Sequence, residues 1–224
     1  MAYSDFYRTL EDNLAQLIKL LPKIDSGDPN LDITSEDEMK CRAYRLLAHA
    51  EFENYFESYG KELAKKAKAQ WDERQFASKT LLCILAFSDR NMGRPPESLT
   101  PKQNNQTKSL NKQLDISERV NDAINDYRKV VDGNHGIKEK NIISLLLPVG
   151  VSPIEIENTS LVCFDDYGKT RGLWAHSSIG IIYKPNPKDE IKRVDQLLKE
   201  LQSIDSVLQE IESSLDSTSQ LLPP

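Results

Sequence analysis

The sequence predicts an all-α fold, an antiparallel helical bundle with a long polar loop insertion and a long C-terminal helix. Three observations carry this. Apolar residues recur three and four apart over most of the chain, the only plausible β run is short (179–183), and Gly, Pro and Asn cluster between the periodic stretches. No repeat at a solenoid period appears, so the 224 residues are read as a single domain, 1–224.

Taken in order, Phe6, Leu10, Leu14, Leu17 and Leu21 form one helical stripe that Pro22 stops. A turn around Gly27 to Asn30 follows. Ser35 with Glu38 fits a capping box that opens a long helix reaching about Gln70. Along it Tyr44, Ala48, Phe52, Tyr55, Tyr59 and Leu63 trace a core-facing stripe. A third helix is expected over 76–88, apolar enough to be central. Residues 91–113 hold Gly93, Pro95, Pro96, Pro101 and the run Gln103-Asn104-Asn105-Gln106-Thr107, a polar loop. Helical pattern returns over 116–131 and ends in the turn Gly133-Asn134-His135-Gly136. A short apolar helix over 137–147 ends at Pro148 and Gly150, and another helix is expected over 165–178. After Pro185-Asn186-Pro187, a final helix over 189–215 carries Ile191, Val194, Leu198, Leu201, Ile204, Leu208, Ile211 and Leu215, a bundle or coiled-coil seam.

Composition narrows the function. The chain has 29 Lys+Arg against 35 Asp+Glu, a net charge of −6, and 38% hydrophobic residues. Phosphate contacts need local cations, so the acidic balance argues against a non-specific wrapper of nucleic acid while leaving room for a small basic cleft. Cys41, Cys83 and Cys163 are odd in number and far apart. They read as reduced thiols of a cytoplasmic protein, not as a disulfide framework or zinc site. The N-terminus lacks a basic segment followed by an apolar run, and the longest apolar run, 81–87, is far too short to span a bilayer. The expectation is a cytoplasmic protein with no membrane association, no cofactor and no metal. Phosphate-cradling glycine loops, HExxH, nucleophile elbows and EF-hand loops are all lacking.

What remains is a histidine chemistry. Arg171 and His176 are separated by four residues, so on a helix both can reach the same end of one face, about one and a half turns apart. A guanidinium holds phosphate as a permanently charged fork, and an imidazole exchanges protons near neutral pH. Cleavage of RNA by its own 2′-hydroxyl requires that combination: a base for the hydroxyl, an acid for the leaving 5′-oxygen, and a cation for the phosphorane charge. Arg128 and His135 make a second such pair, but Gly133 breaks the helix between them. Arg45, His49 and Glu53 stand at i, i+4 and i+8, a polar row bordering the core stripe of the long helix. A carboxylate there can fix the tautomer of an imidazole or orient a guanidinium. Lys61, Lys65, Lys66 and Lys68 fit a solvated helix face better than an RNA path.

The stretch Arg171-Gly172-Leu173-Trp174-Ala175-His176-Ser177 resembles the signature of the HEPN superfamily of helical-bundle ribonucleases, in its RiboL-PSP-HEPN branch. His49-Ala50-Glu51-Phe52-Glu53-Asn54-Tyr55 is similar to that branch's early His-Ala-x-x-Glu-x-Tyr helix. His135-Gly136-Ile137-Lys138 through Leu147-Pro148-Val149-Gly150 is similar to the segment before its motif helix. The likeness is strongest over 35–180, leaving the first and last helices as variable additions. It implies a HEPN-like bundle and a metal-independent endoribonuclease of toxin or antiphage systems. It also implies RNA as substrate, a homodimer whose two motifs face one cleft, and an antitoxin or defence-system partner protein. Arg171 and His176 would then be catalytic, Glu53 and His49 supporting, and Lys169 and Arg45 substrate-binding. Many members carry a polar residue straight after the motif arginine, where this chain has Gly172. That departure favours the alternative of a catalytically silent HEPN-like interaction or nucleotide-sensing module. A plainer alternative is a helical adaptor whose last seam recruits a partner.

Overall fold

The computed structural model describes residues 3–22, 34–88, 115–176 and 186–220, with side chains given for all of these except 171–176 and 218–220. The expected turn near Gly27, the polar loop at 91–113 and the β run at 179–183 fall outside the described residues. Within them every regular element is helical: α1 (Asp5–Leu17), α2 (Ser35–Arg74), α3 (Lys79–Phe87), α4 (Ile116–Asp132), α5 (Glu139–Leu146), α6 (Asn158–His176) and α7 (Pro187–Gln220), with 3-10 turns at Ile18–Leu20 and Pro153–Glu155.

The 40-residue α2, about 60 Å long, touches each of the other six and is the axis of the bundle. Its start is a capping box one residue earlier than the sequence pattern indicates. Thr34 Oγ1 accepts from the Asp37 amide at 3.2 Å, while the Thr34 amide donates to Asp37 Oδ2 at 3.2 Å. Both pairs fit the spacing, and Thr34 prevails because its backbone is extended while that of Ser35 is already helical. The helix ends with Gln75 in the left-handed conformation at φ 55°. All six residues of the expected α2 stripe are buried.

α7 wraps the other side, burying Val194, Leu197, Leu201, Ile204, Leu208 and Leu215. It also buries two acids, Glu190 and Asp205. Asp205 accepts from the Ser4 amide and hydroxyl, from Tyr55 Oη at 2.7 Å and from Gln209 Nε2 at 2.7 Å, which ties the chain's start to α2 and α7. Three segments distant in sequence are thereby fixed to one carboxylate.

Candidate active site

The motif helix α6 starts at Asn158, seven residues before the expected 165. Its inner face, Leu161, Phe164 and Tyr167, is buried. Phe164 meets Phe52 and Phe56 of α2 edge-on, with centroids 5.6 and 5.4 Å apart. One turn on, the Tyr167 ring lies nearly parallel to the His49 imidazole at 6.4 Å. The Arg45 guanidinium carbon stands 5.2 Å from the Tyr167 centroid, and Tyr167 Oη donates to the Arg45 carbonyl at 3.3 Å. Burial pushes the Tyr167 phenol well above its ordinary value. Gly168 follows, where a Cβ would stand 3.1 Å from Lys138 Cγ, so α6 passes close to the residue that caps α5. From this seat the helix continues unbroken to His176. Arg171 and His176 thus lie about 7.5 Å apart along the axis and about 140° apart around it. They share one end of the helix but not one face of it, contrary to the sequence expectation, because five helical steps do not return to the same side.

Arg45 does not fit the substrate-binding role its position in the sequence implied. It is wholly buried, and its Nε and Nη2 donate to Glu190 Oε2 and Oε1 at 2.6 and 2.8 Å. A side chain so enclosed pins α2 to the start of α7 and touches no solvent. Burial raises the pKa of Glu190, and the facing guanidinium opposes that rise. His49 is buried as well, its Nδ1 3.7 Å from Glu53 Oε2, too far for a hydrogen bond but close enough for attraction when the ring is protonated. Glu53 remains partly exposed. The polar row is real, and it runs from the inside of the bundle outward.

Behind His49 lies a group the sequence reading missed. Asn134 Nδ2 donates to Glu57 Oε1 at 2.9 Å and to the Gly136 carbonyl at 3.1 Å, and Asn141 Nδ2 donates to Asn134 Oδ1 at 2.8 Å. This net holds the Gly133–Gly136 turn against α2, where a Cβ on Gly136 would come 3.9 Å from His49 Cε1 and Nε2. Glu57, four residues beyond Glu53, was the available signal. His135 itself is exposed. Lys169 lies on the outer face of α6, paired with Asp165 one turn earlier.

The lysines of α2 are all ion-paired: Lys40 with Glu36, Lys61 with Asp132, Lys65 with Glu62, Lys66 with Glu212 and Asp216, and Lys68 with Asp72. That is the solvated-face pattern. The three cysteines are free thiols. Among the described residues no group of three His, Cys, Asp or Glu is placed to hold a metal ion, and no helix is long and apolar enough to cross a membrane.

Within the described residues the chain is an all-helical bundle, as a HEPN domain is. The family model RiboL-PSP-HEPN matches residues 6–216, and the chain belongs to that family. The match takes in α1 and nearly all of α7, beyond the 35–180 stretch where the likeness is plainest in the sequence. Membership carries an RNA-related, ribonuclease-type role. Comparison with curated proteins and with solved structures finds no significant match.

Proposed function

We propose that the protein is a metal-independent endoribonuclease, and that Arg171 and His176 carry the reaction. The supporting observation is that α6 continues without a break from its buried seat on Tyr167 to both motif positions. Arg171 holds the scissile phosphate and stabilises the charge that builds on its oxygens. A histidine takes the 2′-hydroxyl proton, the O2′–P bond forms, the P–O5′ bond breaks, and a second group returns a proton to O5′. The products are a 2′,3′-cyclic phosphate and a 5′-hydroxyl. His176 fills one of the proton-transfer roles and its copy in a homodimer the other, because a two-fold axis brings a residue close to its own copy. Glu53 supports the site through His49. A toxin or antiphage setting, with an antitoxin or defence-system partner, fits this chemistry.

Purified protein incubated with labelled RNA tests the reading. Cleavage in excess EDTA with cyclic-phosphate ends is expected, and His176→Ala or Arg171→Ala should each abolish it with the helical CD signal intact. Light scattering should give a mass near twice 25.5 kDa. Strict Mg²⁺ dependence or 3′-hydroxyl ends would replace this mechanism with a carboxylate–metal one. Gly172 after the motif arginine favours a second reading, a catalytically silent HEPN-like module, which absence of cleavage on any RNA would select.

A further inference from the structure

A groove of about 550 Å³ opens between α6 and α7, within the ~300–1,000 Å³ of small-ligand clefts. Asp166, Lys169 and Thr170 form one wall and Arg193 and Gln196 the other, over the buried Tyr167. Thr170 immediately precedes Arg171, so the groove begins beside the motif. Its charge is distinctive. The lysines of α2 are each neutralised by an acid. Arg193 is exposed and makes no ion pair among the described residues. Lys169 is paired with Asp165, with Asp166 and Glu139 also close enough to act on it. Arg193 is thus the one groove cation without an ion pair among the described residues, the acid acting on it being Glu190, three residues earlier on α7, in a chain whose net charge is −6.

We propose that this groove is a subsite for the nucleotide flanking the scissile bond, with Arg193 and Lys169 holding its phosphate. Asp166, an acceptor only, takes the ribose 2′-hydroxyl, the group that distinguishes RNA from DNA. The polar wall sits over an aromatic floor that is sealed, because Tyr167 is already engaged with Arg45. Recognition is thus through phosphate and sugar, and the groove adds affinity for longer strands without reading bases. This rests on the ribonuclease reading and extends it to the path of the strand.

The test compares Arg193→Ala with Arg128→Ala, an exposed arginine on α4 outside the groove. Each removes one positive charge. Binding of a single-stranded RNA 12-mer is measured by anisotropy in the His176→Ala background, so that the strand stays whole. Cleavage is measured with the motif intact, on the 12-mer and on a dinucleoside monophosphate. Arg193→Ala should weaken 12-mer binding by up to about fivefold and lower the salt slope by about 0.7. Its loss in kcat/KM should be larger on the 12-mer than on the dinucleotide, while Arg128→Ala moves none of these. Unchanged binding, an equal loss at both lengths, or an equal loss from Arg128→Ala overturns the subsite and leaves the ribonuclease reading standing. A wild type that neither binds nor cuts RNA overturns both.

Discussion

At the scale of single residues, the pair Arg45–Glu190 shows how a charge on a helix can be misread. Three polar residues four apart along α2 look like a solvated stripe, because that spacing returns to one face every turn. In a helix flanked by six others the same face can point inward, and Arg45 does. Its partner left a trace: the buried positions Val194, Leu197 and Leu201 of α7 run back in register to Glu190, an acid where an apolar side chain belongs. A bidentate pair with both side chains fully enclosed contributes little net stability over apolar neighbours, yet losing one partner strands the other. Arg45→Met should therefore cost about 3–5 kcal/mol in urea denaturation. Adding Glu190→Leu to it should restore most of that loss, and a single variant as stable as wild type would mean the pair does not form in solution. Cys41 gives an independent reading of the same region. Burial lifts its thiol to about 11, so at pH 8 iodoacetamide should leave it unmodified until the bundle unfolds. Mass spectrometry after labelling checks this.

At the scale of elements, the periodic stretches were legible, with most ends within a few residues of the observed ones, the start of α6 being the exception. The apolar stripes of α1, α2, α4 and α7 located those helices because each buries a face against α2 or is α2. The cap of α2 moved by one residue because two adjacent Ser/Thr residues each precede an acid at the right spacing. The first half of α6 escaped notice since Leu161, Phe164 and Tyr167 advance by threes, between exposed Thr159, Val162 and Asp166, and give no clean four-residue step. The site followed the same rule. Arg171, His176, His49 and Glu53 announced themselves by residue type. Asn134 and Asn141 are ordinary surface residues by type, and only the fold brings them together beside Glu57 and Gly136. Contacts between elements are equally hidden in sequence, and Gly60 is the clearest case. It sits inside α2, where a Cβ would fall 2.3 Å from Tyr127 Oη of α4, whose hydroxyl donates to the Leu145 carbonyl at 2.8 Å. Gly60→Ala raises helix propensity but forces these helices apart, so a net loss of about 1–3 kcal/mol is expected. Tyr127→Phe removes the colliding oxygen, leaving the Cβ 3.6 Å from the ring carbon. A double-mutant cycle should then show Gly60→Ala costing less when Tyr127→Phe is already in place, and strict additivity would contradict the close approach.

At the scale of the whole molecule, α7 is fastened to α2 by polar groups as well as by its apolar seam. Tyr55 donates to Asp205 at 2.7 Å and Tyr59 to Glu212 at 3.0 Å, and Lys66 bridges Glu212 and Asp216 at 2.8 Å each. Each tyrosine must keep its proton for these bonds to exist. Burial first, and the facing carboxylate second, push the phenols of Tyr55 and Tyr59 well above their ordinary value of 10.0. Burial does the same to Tyr44, Tyr127 and Tyr167. A group whose pKa is higher folded than unfolded gives its full stability below the unfolded value and loses it as pH rises beyond. The stability of the bundle should therefore hold up to about pH 10 and fall steeply above it. Ionisation of Tyr55 or Tyr59 would place two negative charges at hydrogen-bond distance in a buried seam, which the chain escapes by releasing α7. Alkaline titration followed at once by tyrosinate absorbance and by far-UV CD measures this. The buried share of the eight tyrosines should ionise in one cooperative step that coincides with loss of helix. Smooth titration of all eight near pH 10 with the helical signal intact would show that these hydroxyls are open to solvent and that α7 is held by its apolar seam alone.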